Sequence, residues 1–188
     1  QKCNNIDKFS DITISCCTGQ DTAKFRNHMK SYLFRDNIAN VWKTYKTTSP
    51  TDLWNTKMVT FGMLYTNSTN KLMYQNDPYT GAEPGQILYL NLRMLRIYNL
   101  AVAFEIVRVD DVNKIIEFSY IQSGKTIGRQ KIELQPTNEG YTRIIHTTNY
   151  KSDSKFRDRT LYPAFHKKFI NEFHSNVKHR LLDQKKLL

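Results

Sequence analysis

The hydrophobic period of this chain changes near its end. Residues 141–150 alternate, with Ile144, His146 and Thr148 on one side of an extended segment, the mark of a strand with one buried face. After a polar loop, apolar residues recur at every fourth position: Leu161, Phe165, Phe169, Phe173, Val177 and Leu181. That spacing predicts one long helix from near Thr160 to about Leu182. At about 100° per residue a four-residue repeat drifts round the helix, so these side chains fill a wide arc and not a narrow seam. An arc with three phenylalanines needs a broad surface to cover, and the segments before it supply one.

Upstream the pattern predicts a strand over 25–34. A helix follows, with Asp36 as its N-cap and Ile38, Val41, Trp42 and Tyr45 at i, i+3, i+4, i+7. Ser49-Pro50-Thr51-Asp52 reads as a second helix start, with a cap, a proline in the first turn and an acid near the dipole. It carries Leu53 and Trp54 and ends quickly. The remainder reads as β structure over 58–66, 71–74, 86–97, 100–109, 114–122 and 126–134, separated by turns such as 77–85 and 110–113. Regular spacing with tight turns means an antiparallel meander. Residues 1–24 are polar apart from the alternation of Phe9, Ile12 and Ile14. They read as an N-terminal extension, and 25–188 as one domain.

Composition narrows the class. The chain has 188 residues, 39% hydrophobic and 12% aromatic, which is enough for a core. No apolar run approaches the roughly 18–20 residues of a membrane span. Gln1 opens the sequence without Met, which suggests a lost N-terminal segment, a cleaved export signal being one explanation, and leaves the location open between the cytoplasm and export with the signal removed. Net charge is +11. The densest basic stretch, 155–186, holds nine basic and three acidic residues. No recognition helix or zinc-finger spacing accompanies it, so nucleic acid is disfavoured as a partner and an anionic membrane surface is the more plausible charged one. The first reading of the stretch is simply a solvated helix face. Cys3 could pair with Cys16 or Cys17 in an oxidising compartment, whereas adjacent cysteines do not suit disulfide geometry.

The order of strand, two short helices, meander and long helix resembles the START-like superfamily, which also holds polyketide cyclases and plant pathogenesis-related proteins. The matching residues are Asn37 to Tyr45 with Trp42, Thr51 to Trp54, the turn Pro84-Gly85-Gln86-Ile87, the paired segments around Phe104 and Phe118-Ser119-Tyr120, and the final helix. Gly124 after that step adds a likeness to an uncharacterised bacterial family within the superfamily. The resemblance spans about 25–182 and implies an α+β helix-grip fold. A curved antiparallel sheet of about six to seven strands would wrap the C-terminal helix, with a hydrophobic cavity between them. It also implies binding of an apolar or amphipathic small molecule, lipid-like in character, more often than catalysis.

Candidate cavity residues follow from strand parity and the helix arc: Leu90, Phe104, Phe118, Tyr120, His146, Phe165, His166 and Phe169. Tyr120, His146 and His166 carry the chemistry. Their convergence on one cavity would favour an acid–base enzyme of cyclase or hydrolase type, and their dispersal plain binding. A third reading is a basic module docking on membranes or acidic partners. His166, Glu172 and His174 do not make a helical metal motif, because Glu172 and His174 point roughly 200° apart. No nucleophile elbow and no phosphate loop are present. The expectation is therefore no metal, no cofactor and no assigned catalytic residue.

Overall fold

The structure is a computed structural model that describes residues 8–15, 25–94, 98–122, 124, 126–155 and 157–186. The three cysteines and their pairing lie outside the described residues.

Eight strands form one antiparallel sheet: β1 (Arg26–Phe34), β2 (Val59–Thr66), β3 (Lys71–Met73), β4 (Gln86–Met94), β5 (Tyr98–Asp110), β6 (Ile115–Tyr120), β7 (Thr126–Pro136) and β8 (Thr142–Ser152). Their spatial order is β1-β8-β7-β6-β5-β4-β2-β3. The resemblance implies six to seven strands, whereas the alternation along the chain already includes β3, a three-residue partner of β2 at the sheet edge. Strands β4 to β8 are a meander. The first strand instead pairs with the last, Arg26 opposite Tyr150 and Phe34 opposite Thr142. The chain must therefore cross from one side of the sheet to the other after β1. Helices α1 (Ile38–Thr47) and α2 (Pro50–Trp54) make that crossing.

Local chemistry explains both short helices. Asn37, not Asp36, caps α1, its side chain accepting from Asn40 N at 3.0 Å. Asp36 sits one residue earlier and accepts from the Asn37 N–H at 2.8 Å, so the acid supports the cap without being it. Ser49 caps α2 and Pro50 occupies its first turn, as the sequence predicts. The five residues of α2 deliver Leu53 and Trp54 to the interior.

A π-helical turn, Arg157–Leu161, leads into α3 (Tyr162–Lys186), which packs on one face of the sheet. The wide arc is real: Phe169, Ile170, Phe173, Val177 and Leu181 are buried with the inward residues of the strands. The Trp54 ring stacks on both Phe169 and Phe173, centroids 4.9 and 4.2 Å apart, and meets Phe104 edge-on. Polar anchors add to this. Asn176 Nδ2 donates to the Leu53 carbonyl at 3.0 Å, and Tyr32 OH donates to Asn171 at 2.8 Å.

The opposite face of the sheet carries a smaller cluster of Tyr65, Ile87 and Ala103, with Phe9, Ile12, Tyr89 and Ile121 against it. Residues 8–15 lie here, tied by an Ile14–Ile121 bridge and by Ser15 N donating to Tyr120 O. Gly128 of β7 lies tight against the β8 backbone. Its φ is +145°, and a Cβ there would sit 2.0 Å from Asn149 O.

Candidate functional site

Strand β8 alternates buried and exposed positions, with Thr142, Ile144, His146, Thr148 and Tyr150 all inward. His146 therefore faces α3. On α3, His166 lies within the buried arc, and His174 lies eight positions later, roughly 80° further round. All three imidazoles are buried, with His146 and His174 each 1% exposed. Gln130 reaches them from the inward face of β7, where it alternates with the buried Ile132 and Leu134. His28 reaches them from β1, on the same face as Tyr32 and Phe34.

Gln130 is the junction. His146 Nε2 lies 2.9 Å and His166 Nε2 3.2 Å from the same Gln130 Oε1. The Gln130 amide nitrogen donates to Tyr120 OH at 3.0 Å, and Tyr120 OH bonds to Tyr162 OH at 2.5 Å. A carbonyl oxygen only accepts, so both Nε2 atoms carry protons. Neutral His146 then has a bare Nδ1, which accepts from His174 Nε2 at 2.9 Å. His174 Nδ1 is bare in turn and accepts from Tyr45 OH at 2.5 Å. On the other branch His166 Nδ1 accepts from His28 Nδ1 at 3.2 Å. One glutamine oxygen thus orders a chain that ends at the Tyr45 hydroxyl on one side and at half-buried His28 on the other.

Burial sets the protonation of this chain. Desolvation is the first cause that holds His146 and His166 well below the ordinary histidine range, with neighbouring histidines adding to it. The same burial takes His174 down to about 3, helped by His166. His28 is lowered by burial, then by Lys30 and Lys167. Burial pushes Tyr120 up to about 12, against the opposing bonds from Tyr162 and Gln130, and takes Tyr45 well above its usual value. The cluster is neutral throughout at pH 7. Among the described residues no three His, Cys, Asp or Glu side chains are arranged to hold a metal ion.

Next to this chain lies a cavity of about 30 Å³ between the sheet and α3. Its walls include Leu53, Trp54, Leu88, Phe118 and Phe173. Three polar side chains stand in that wall, Tyr45, Thr48 and Tyr79, the last donating its hydroxyl to Gln86 Oε1 at 3.4 Å. Tyr45 is the end of the histidine chain. Thr48 is buried, and its hydroxyl has no hydrogen-bond partner among the described residues. The space admits a water molecule or two, far below the roughly 300–1,000 Å³ of a drug-sized site. The stack of Trp54 on Phe169 and Phe173 is what fills the interior.

Of the residues singled out from sequence, Leu90, Phe104, Phe118 and Phe169 are in the main apolar core, and Phe118 also lines the cavity. Tyr120, His146 and His166 meet on Gln130 and not on the cavity. Phe165 is half-buried and stands outside the core cluster. Tyr45, Thr48, Gln130, His28 and His174 were missed. Gln130 and His28 were legible as polar residues at inward strand parity, and His174 as a second histidine in the arc of His166. Nothing local marks Tyr45 or Thr48, because a tertiary contact gives each its role.

A norcoclaurine synthase point mutant from Thalictrum, solved with a transition-state analogue, superposes with a TM-score of 0.63 at 12% identity, over 86% of this chain and 96% of that one. The fold is the START-like helix grip. A major latex-like protein from Panax ginseng gives 0.58 at 10% identity, over 83% and 97%. A protein from Nitrosomonas europaea gives 0.56 at 16% identity, over 86% and 97%. No protein-family model and no curated protein matches the chain. At such identities the helix grip speaks for architecture, and function has to come from the site itself.

Proposed function

We propose that this helix-grip protein binds a small, mostly apolar molecule between sheet and α3, with one polar group directed at Thr48 and Tyr45. The carrying observation is the Thr48 hydroxyl, buried in an apolar cavity wall without a partner. A buried hydroxyl that forgoes water costs about 1–3 kcal/mol unless something bonds it. A ligand oxygen or nitrogen at this point would satisfy it. Tyr45 beside it is fixed by His174, so the polar end would meet a preorganised hydroxyl. Apolar burial against Trp54, Phe118 and Phe173 would supply the affinity at about 25 cal/mol per Å².

Uptake of a larger molecule requires the interior to expand. The π-helical turn at the start of α3 and the turn at 77–85 are the segments whose yielding would admit it.

The convergence of Tyr120, His146 and His166 favours a second reading, acid–base catalysis. Two observations weigh against it. None of the three lines the cavity, and a general base works best with a pKa near the working pH, whereas burial drives these imidazoles far below it. Imidazoles of such low basicity hydrogen-bond well but are weak proton acceptors.

The test is native mass spectrometry of the purified protein with solvent extraction, followed by titration with 1-naphthol, an apolar ring system bearing one hydroxyl. A retained mass or saturable naphthol binding, weakened in Thr48→Val, is expected. A clean apo mass together with no naphthol binding would overturn the reading.

A further inference from the structure

A second recess lies on the surface, between the end of β1 and the last turns of α3, with a volume of about 440 Å³. Its apolar lining comes from Leu33, Phe34, Leu181 and Leu182. Phe34 and Leu181 belong to the core, whereas Leu33 is 51% and Leu182 46% exposed. Leu33, at the outward parity of β1, and Leu182, on α3, leave two large aliphatic side chains open to water at one recess, a feature that asks for an occupant.

The polar lining is lopsided. Arg35, Lys178 and Lys185 stand against a single acid, Asp36. Lys185 is used by that acid, its Nζ 2.9 Å from Asp36 Oδ2. Asp36 is further held by the Asn37 N–H and by Asn40 Nδ2. Arg35 and Lys178 are exposed and have no acidic partner among the described residues. The negative end of the α3 dipole is met by Lys185 and Lys186 in the last turn. What remains is a greasy recess with two uncommitted cations at its rim.

We propose that this groove is a second binding site, for a single-chain amphipathic anion. The carboxylate would sit between Arg35 and Lys178, and the alkyl chain would lie along Leu33, Leu181 and Leu182. The volume falls in the range of small-molecule sites, unlike the interior cavity. Charge complementarity selects an anion over a cation. The apolar floor selects an alkyl chain over an inorganic ion. Binding here does not need the interior to open, so it stands apart from the function proposed above.

The test is calorimetric titration with sodium dodecanoate below its micellar concentration, with dodecyltrimethylammonium as the opposite charge. The expected result is saturable dodecanoate binding that weakens with salt. It falls at least tenfold in the double variant Arg35→Glu, Lys178→Glu and is unchanged in Thr48→Val. Leu182→Asp should also lose it, and the ammonium surfactant should bind poorly. Undiminished dodecanoate binding by the double variant overturns the proposal, as does equal affinity for the ammonium surfactant. Loss in Thr48→Val with retention in the double variant also overturns it and assigns the ligand to the interior. Binding to phosphatidylglycerol vesicles without binding of monomeric dodecanoate overturns it in favour of a membrane-docking face.

Discussion

Gln130 Oε1 stands 2.9 Å from His146 Nε2, and this contact sets the direction of each hydrogen bond from β7 to Tyr45. Replacing Gln130 by Leu would strand the His146 N–H, leave the His166 N–H only the Thr148 hydroxyl at 3.3 Å, and remove the Gln130 donor from Tyr120. Buried donors left without acceptors cost about 1–3 kcal/mol each. Gln130→Leu is therefore expected to lose about 2–5 kcal/mol in urea unfolding. A loss below about 0.5 kcal/mol would mean that the chain of bonds is not formed. Gln130→Glu should raise the pKa of both histidines, because a carboxylate favours their charged forms. Histidine titration followed by NMR reads that shift.

Acid should destabilise the fold from just below neutrality. His146, His166 and His174 have folded pKa values below the ordinary 6.5. Below that value the unfolded chain binds more protons than the folded one. Stability is complete above about pH 6.5 and falls as the pH drops toward each lowered value, about 3 for His174. The slope is about 1.4 kcal/mol per pH unit for each histidine. The groups facing them are Tyr32, Tyr45, Tyr120, Tyr162 and half-buried His28, with Lys30 and Lys167 near His28. None supplies a negative charge at neutral pH to hold a protonated ring. Chemical denaturation at pH 7 and pH 5 checks this, and equal stability at both would contradict it.

The helix arc and the strand parities were legible because each is a repeat along the chain. Phe169, Phe173, Val177 and Leu181 were placed correctly by spacing alone. The histidine chain was only half legible. His146 and His166 were singled out, but Gln130, though at inward strand parity, carried no sign of its partners until β7 and α3 were brought together.

Phe169→Ala should remove one partner of the Trp54 stack and open apolar space behind Trp54, next to the cavity. Truncating a buried Phe costs about 3–5 kcal/mol. The enlarged, apolar space should bind indole, whereas the unaltered protein should not. Thermal shifts with and without indole measure both effects, and an indole-insensitive melting temperature would show that the core collapses instead.

Gly128→Ala should be more damaging than its size suggests. The added methyl would meet Asn149 O at 2.0 Å, and φ of +145° is a conformation that side chains rarely adopt. The expected loss is roughly 3 kcal/mol or more, or no soluble protein at all. Near-native stability would mean that β7 and β8 can separate here without consequence.

The sequence by itself determined the elements and their order: the alternating strands, the caps of two short helices and the wide apolar arc of the last one. These follow from local periodicity and backbone preference, which any stretch of chain carries on its own. Tertiary structure alone decided which polar residues share a site. Tyr45, Gln130, His146 and His174 sit on four different elements, and only the packing of α3 against the sheet brings their hydrogen-bonding atoms within 3 Å. It also decided that the interior is filled, since the space left depends on how Trp54 stacks against Phe169 and Phe173. Distance between residues far apart in sequence is a property of the folded chain, and no pattern along the chain encodes it directly.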